Sequence, residues 1–104
     1  MAVIFVAWRS GADQPGYAAA AAAMDTLAAQ QPGFCGMDAA RGNDGFGITV
    51  SYWADEASAV AWRAHPDHAK VREAGGGRWY VGYDLHVAQV TRSYGWSREE
   101  GERI

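Results

Sequence analysis

Two strand-like stretches of this chain are apolar on both of their faces, and that property restricts the fold more than any other. The first, Val3–Trp8 (VIFVAW), is built from β-branched and aromatic residues with no polar side. The second runs from Arg78 to about Arg92. It places Trp79, Val81, Tyr83, Leu85 and Val87 on one face against Tyr80, Gly82, His86, Ala88 and Val90 on the other, with Asp84 the one charge. Alternation along a strand normally leaves one polar face for water, so strands like these need cover on both sides. The rest of the chain supplies helix for only one. A second copy, sheet against sheet with the long final strand reaching across, is the simplest second cover, and the sequence therefore predicts a homodimer.

The remaining segments order themselves around these strands. Asp13-Gln-Pro-Gly16 offers a helix entry with Asp13 as N-cap and Pro15 in the first turn. Tyr17, Ala20, Ala21, Met24, Leu27 and Ala28 then recur at helical spacing, through six consecutive alanines that favour helix and permit close packing. Pro32-Gly33 ends that helix. Phe34–Arg41 and Phe46–Trp53 read as strands joined by the turn Gly42-Asn-Asp-Gly45. The second of them has Ile48, Val50 and Tyr52 on one side and Thr49, Ser51 and Trp53 on the other. Asp55 caps a second helix that runs to about His65, where Pro66 interrupts it before a further turn or two from Asp67 to Ala74. The order β-α-β-β-α-β is the split-βαβ, ferredoxin-like α+β pattern, with two helices on one face of an antiparallel sheet.

At 104 residues the chain predicts one domain over residues 1–96, followed by a mixed-charge tail over 97–104. A net charge of −3 with scattered basic residues gives no electrostatic footprint for nucleic acid or an anionic membrane. No run approaches the ~20 apolar residues of a membrane span. The N-terminus lacks the basic start of a signal peptide, and the lone Cys35, read as a small buried hydrophobe on a strand, fits a reducing compartment. The expected location is the cytoplasm.

Polar chemistry concentrates in Ala61–His68 (AWRAHPDH). His65 and His68 stand three apart with a proline between, without the i, i+4 spacing or the acidic and cysteine partners of a zinc site, so no metal is expected. His65 is read as part of the helix break. Trp62 and His68 would diverge on an unbroken helix, and their meeting depends on a bend at Pro66. Gly75-Gly-Gly77 follows a helix and precedes a strand, the reverse of a phosphate loop, and no flavin, nicotinamide or nucleotide motif is present. Five tryptophans and five tyrosines exceed what a core this size needs and point to an apolar cavity for a planar ligand.

The segments VIFVAW, QQPGFCGMDAARGNDGFGITVSYW, DEASAVAWRAHPDH and GGRWYVGYDLHVAQVTRSYGW resemble the antibiotic biosynthesis monooxygenase family from Val3 to Trp96. The resemblance implies a ferredoxin-like dimer forming an α+β barrel. It also implies a small oxygenase that oxidises a phenolic or quinol substrate with dioxygen and no cofactor, with Trp62 facing a pocket between helices and sheet. Where an asparagine precedes the tryptophan by one turn in the quinone-forming branch, this chain has Ser58. A haem-degrading branch is the alternative, but its strand-one asparagine and its later histidine have no counterpart here. A non-catalytic dimeric module for aromatic metabolites is the third reading. If the chain is an enzyme, His68 is expected as base, Trp62 as the group orienting the substrate oxygen, and Arg78 as the stabiliser of the phenolate. Tyr52, Trp79 and Tyr83 are the expected pocket walls.

Overall fold

A computed structural model describes residues 1–103. It comprises β1 (Ala2–Arg9), α1 (Gln14–Ala29), β2 (Phe34–Arg41), β3 (Phe46–Trp53), α2 (Glu56–Ala64), α3 (Pro66–Gly75), β4 (Tyr80–Ala88), β5 (Gly95–Ser97) and β6 (Gly101–Arg103). The first four strands form one antiparallel sheet in the order β2-β3-β1-β4, the ferredoxin-like α+β arrangement. β1 lies between β3 and β4, so the most apolar strand is one of the two interior ones. Its pairing also sets the length of β4: Ala88 pairs with Ala2, and beyond that point β1 has no residue left to offer. The ladder ends there, short of the Arg92 that hydrophobic alternation alone suggested.

Local sequence explains each helix boundary. Asp13 enters α1 in the left-handed region (φ 49°), and its carboxylate accepts from Gly16 N at 3.3 Å. After α1, Gly33 adopts φ 84°, which glycine tolerates, and a Cβ there would run into the Ser58 hydroxyl. Ser58 is itself tied to the α2 N-cap, since Asp55 Oδ1 accepts both its amide (2.8 Å) and its hydroxyl (2.7 Å). His65 closes α2 and opens α3, its Nδ1 accepting from Asp67 N at 3.2 Å. The break is thus a shared cap, as the His-Pro pair predicts.

The core lies between the helices and one sheet face, and Cys35, expected to be buried on its strand, is exposed instead. Ala28, Trp53, Ala59 and Trp62 form its buried centre, with Met1, Val3, Met24, Leu27, Phe34 and Met37 packed around them. Alanine at position 28, with no exposed surface, lets α1 sit close to Trp53. On the opposite face Ile4 stands beside Val50 and Val6 beside Ile48, with the helices on the other side of the sheet. The segment expected as a solvated tail instead folds back on itself: β5 pairs with β6, and Glu100 N donates to Ser97 Oγ at 2.9 Å. Ile104, the last residue of that expected tail, lies outside the described residues. Among the described residues no helix is long and apolar enough to cross a membrane.

Candidate active site

Pro66 creates the local geometry on which the site depends. In a continuous helix the Trp62 carbonyl would accept the amide of residue 66, and proline has none. The orphaned carbonyl is met instead by His65 N at 3.1 Å and by His68 Nδ1 at 3.1 Å. A carbonyl only accepts, so Nδ1 carries the proton and Nε2 keeps the lone pair. Six residues of ideal helix would set Trp62 and His68 about 120° apart around the axis. Across the break their rings stack instead, with centroids 4.3 Å apart and planes 13° from parallel. Pro66→Ala restores the competing amide. Imidazole ¹⁵N shifts should then move from a fixed Nδ1–H form toward a tautomer average; unchanged shifts would show that the break does not orient the ring.

This pair borders a cavity of about 300 Å³ between the helices and the sheet. Val3, Phe5, Thr49 and Ser51 contribute from the sheet, and Ala20, Ala21 and Met24 from α1. Small α1 side chains leave the space open. Trp62, only 8% exposed, also stacks on Trp53 (centroids 6.1 Å, 24°). Ser51 is buried and accepts from Trp53 Nε1 at 2.9 Å, which leaves its own O–H for a ligand in the cavity.

Burial pushes the His68 imidazole below its ordinary value, and Arg72, Arg63 and His65 add to the effect against the opposing hydrogen bond to the Trp62 carbonyl. The folded state therefore disfavours the imidazolium. Stability from this group is present in full above the unfolded value near 6.5 and is lost as pH falls toward the lower folded value. His68→Gln should flatten the decline in urea midpoint below pH ~6.5 relative to the parent chain; parallel declines would assign the acid sensitivity elsewhere.

Of the residues expected from sequence, Trp62, His68, Trp79 and Tyr83 all line the cavity. Tyr52 does not. Its strand parity is that of Ile48 and Val50, and its hydroxyl donates to Asp38 Oδ2 at 2.9 Å on the other face of the sheet. Nor does Arg78 reach over the cavity: its guanidinium pairs with Asp13 Oδ2 at 2.7 Å and lies 5.6 Å from the Trp79 ring. It therefore fastens the entry to β4 onto the α1 N-cap. Alternation also fails at the start of β4, where Arg9 pairs with Tyr80 and Trp8 with Gly82. This bulge leaves Val81 78% exposed and brings Tyr80 to the cavity with Tyr83.

Tyr17, Arg41, Arg63, Arg72 and Tyr80 also border the cavity and were not singled out from sequence. Tyr17 was visible as the first member of the α1 apolar stripe, but its hydroxyl's partner was not. Burial, reinforced by the Tyr17 phenol, holds Tyr80 well above its ordinary value, so it remains a neutral O–H. Among the described residues no three His, Cys, Asp or Glu side chains converge as a metal site would require.

A family model described as antibiotic biosynthesis monooxygenase matches residues 1–74. The Bacillus subtilis (strain 168) uncharacterized protein YqjZ is 45% identical over 91 residues, 88% of this chain and 79% of that one. Among solved structures, Rv0793 from Mycobacterium tuberculosis aligns with a TM-score of 0.75 at 16% identity, covering 88% of this chain and 96% of its own. SnoaB, a cofactor-independent oxygenase from Streptomyces nogalater, aligns with a TM-score of 0.65 at 22% identity, covering 86% and 95%. At these identities the two structures establish a common fold.

Proposed function

Because this chain belongs to the antibiotic biosynthesis monooxygenase family, we propose that it is a cofactor-independent oxygenase converting a polycyclic phenol or quinol to a quinone with dioxygen. The observation that carries this reading is the Trp62–His68 stack on the wall of an apolar cavity, with the imidazole neutral and its Nε2 lone pair unclaimed by the carbonyl that holds Nδ1. The likeness in fold to SnoaB, a cofactor-independent oxygenase, is consistent with it.

Dioxygen is a triplet, and its direct reaction with a closed-shell phenol is slow. Removal of a proton makes an electron-rich anion that can give one electron to dioxygen. The resulting substrate radical and superoxide combine into a peroxide anion on the ring carbon, which the protonated His68 converts to the hydroperoxide. Loss of water then leaves the quinone, so that an anthrone and one O₂ become an anthraquinone and one H₂O. His68 Nε2 takes the first proton and returns it to the peroxide, then takes the remaining hydrogen of that carbon as a proton and passes it to the departing hydroxide. The Trp62 indole N–H and the Ser51 hydroxyl hold the anionic oxygen, in a site whose low polarity strengthens both contacts.

The reading includes a homodimer, motivated by the apolar row Ile4, Val6, Ile48 and Val50 on the sheet face away from the helices. Oxygen uptake across a panel of anthrones and quinols tests the activity: consumption above the buffer rate is expected with at least one compound. Binding of those compounds without oxygen consumption would replace the enzyme with a carrier of aromatic metabolites. A saturable Soret shift on titration with hemin would favour haem chemistry instead.

A further inference from the structure

The cavity has a second polar end. Tyr17 and Met24 both border it from α1, seven residues or about 10 Å apart along the helix. Met24 packs on the Trp53–Trp62 core, so Tyr17 marks the far end. There the Arg41 Nε donates to the Tyr17 hydroxyl at 3.0 Å. The Arg41 and Arg9 guanidinium carbons both lie over the Tyr17 ring, 5.9 and 5.6 Å from its centroid. Gly47 eases the fit of Arg41, since a Cβ there would stand 3.3 Å from Arg41 Cγ. Two like charges are thereby held around one phenol.

No carboxylate among the described residues answers them. Among the described residues the ion pairs are Arg78–Asp13 and Arg103–Glu100. Arg9 donates to the Gly42 carbonyl at 2.8 Å, while among the described residues Arg41 engages a partner through its Nε alone. The two acidic residues on the cavity lie elsewhere, Glu56 at the start of α2 and Asp25 about 12 Å along α1 from Tyr17. An arginine whose Nε is fixed by a phenol presents its two terminal nitrogens as a planar fork, which matches the two oxygens of a carboxylate.

We propose that Arg41, oriented by Tyr17 and supported by Arg9, is a specificity-determining residue that binds a carboxylate on the ring of the substrate farthest from Trp62 and His68. This rests on the aromatic-substrate reading above and narrows it to polycyclic phenols that carry an acid. The aromatic body spans the cavity between the two ends, edged by Phe5, Tyr80 and Tyr83, whose rings meet at 5.2–6.0 Å.

The test compares two product-like probes by tryptophan quenching of the full chain: an anthraquinone carboxylate and its neutral hydroxymethyl counterpart. The carboxylate should bind about tenfold or more tightly, and raised ionic strength should shrink the preference. Arg41→Met should bring the ratio near unity with the neutral probe's affinity unchanged, Arg41→Lys should retain part of it, and Arg98→Gln on the distal hairpin should retain all of it. Equal binding of both probes, or an undiminished preference in Arg41→Met, overturns the carboxylate site while leaving the aromatic-substrate reading intact. Binding of neither probe overturns both.

Discussion

Replacing His68 with alanine should lower the turnover number for oxygen uptake by about 10²–10⁴-fold, the range supplied by a positioned general base. The effect should fall mainly on turnover, because the imidazole contributes to proton transfer more than to holding the aromatic body. Two features make the loss specific to this histidine. Its Nδ1 is committed to the Trp62 carbonyl, which leaves Nε2 as the basic atom, and burial keeps the ring neutral where an exposed imidazole would begin to protonate. His65, three residues earlier, is no substitute, since its Nδ1 accepts from the α3 backbone. Circular dichroism of His68→Ala should show the parent spectrum. Undiminished turnover in a folded variant would remove His68 from the chemistry.

Trp53→Ala should destabilise the domain by about 3–5 kcal/mol, the cost of deleting a buried aromatic ring. At 2% exposure Trp53 is the most enclosed aromatic side chain in the core. It stacks on Trp62, meets Phe34 edge-on at 5.6 Å and donates to Ser51. Its backbone also anchors the N-terminus: Trp53 N donates to the Met1 carbonyl at 2.8 Å, and the Met1 ammonium donates to the Trp53 carbonyl at 2.9 Å. Domains of this size are stable by roughly 5–15 kcal/mol in total, so the variant should unfold at a much lower urea midpoint. Because Trp53 supports both Trp62 and Ser51, ligand binding should weaken as well. A midpoint within error of the parent would show that the surrounding side chains collapse into the vacated space.

Much of this was legible because period and punctuation are local signals. β2 and β3 begin and end at the residues where alternation meets Pro-Gly, Gly-Asn-Asp-Gly and Trp-Ala-Asp. The helix break was written in His-Pro, but whether the bend brings Trp62 to His68 stayed an open question that only the fold answers. Partnerships remote in sequence were not legible. Arg78 binds Asp13, 65 positions away, because the loop into β4 returns to the α1 entrance, and no pattern near Arg78 announces that return. Tyr52 was assigned to the cavity although its alternation with Trp53 put the two on opposite faces; only packing says which face meets the helices. Tyr80 was hidden by a bulge, which shifts parity without a sequence mark of its own.

The pH dependence of kcat/KM for oxygen uptake, measured for the parent chain and His68→Gln, tests the central claim most directly. That claim is a neutral His68, stacked on Trp62, acting as the base. The parent should keep its activity through pH ~6.5 and lose it along an acid limb at lower pH, as the depressed imidazole finally protonates. In His68→Gln the residual activity should lack that limb. Superimposable profiles at comparable rates would contradict the account.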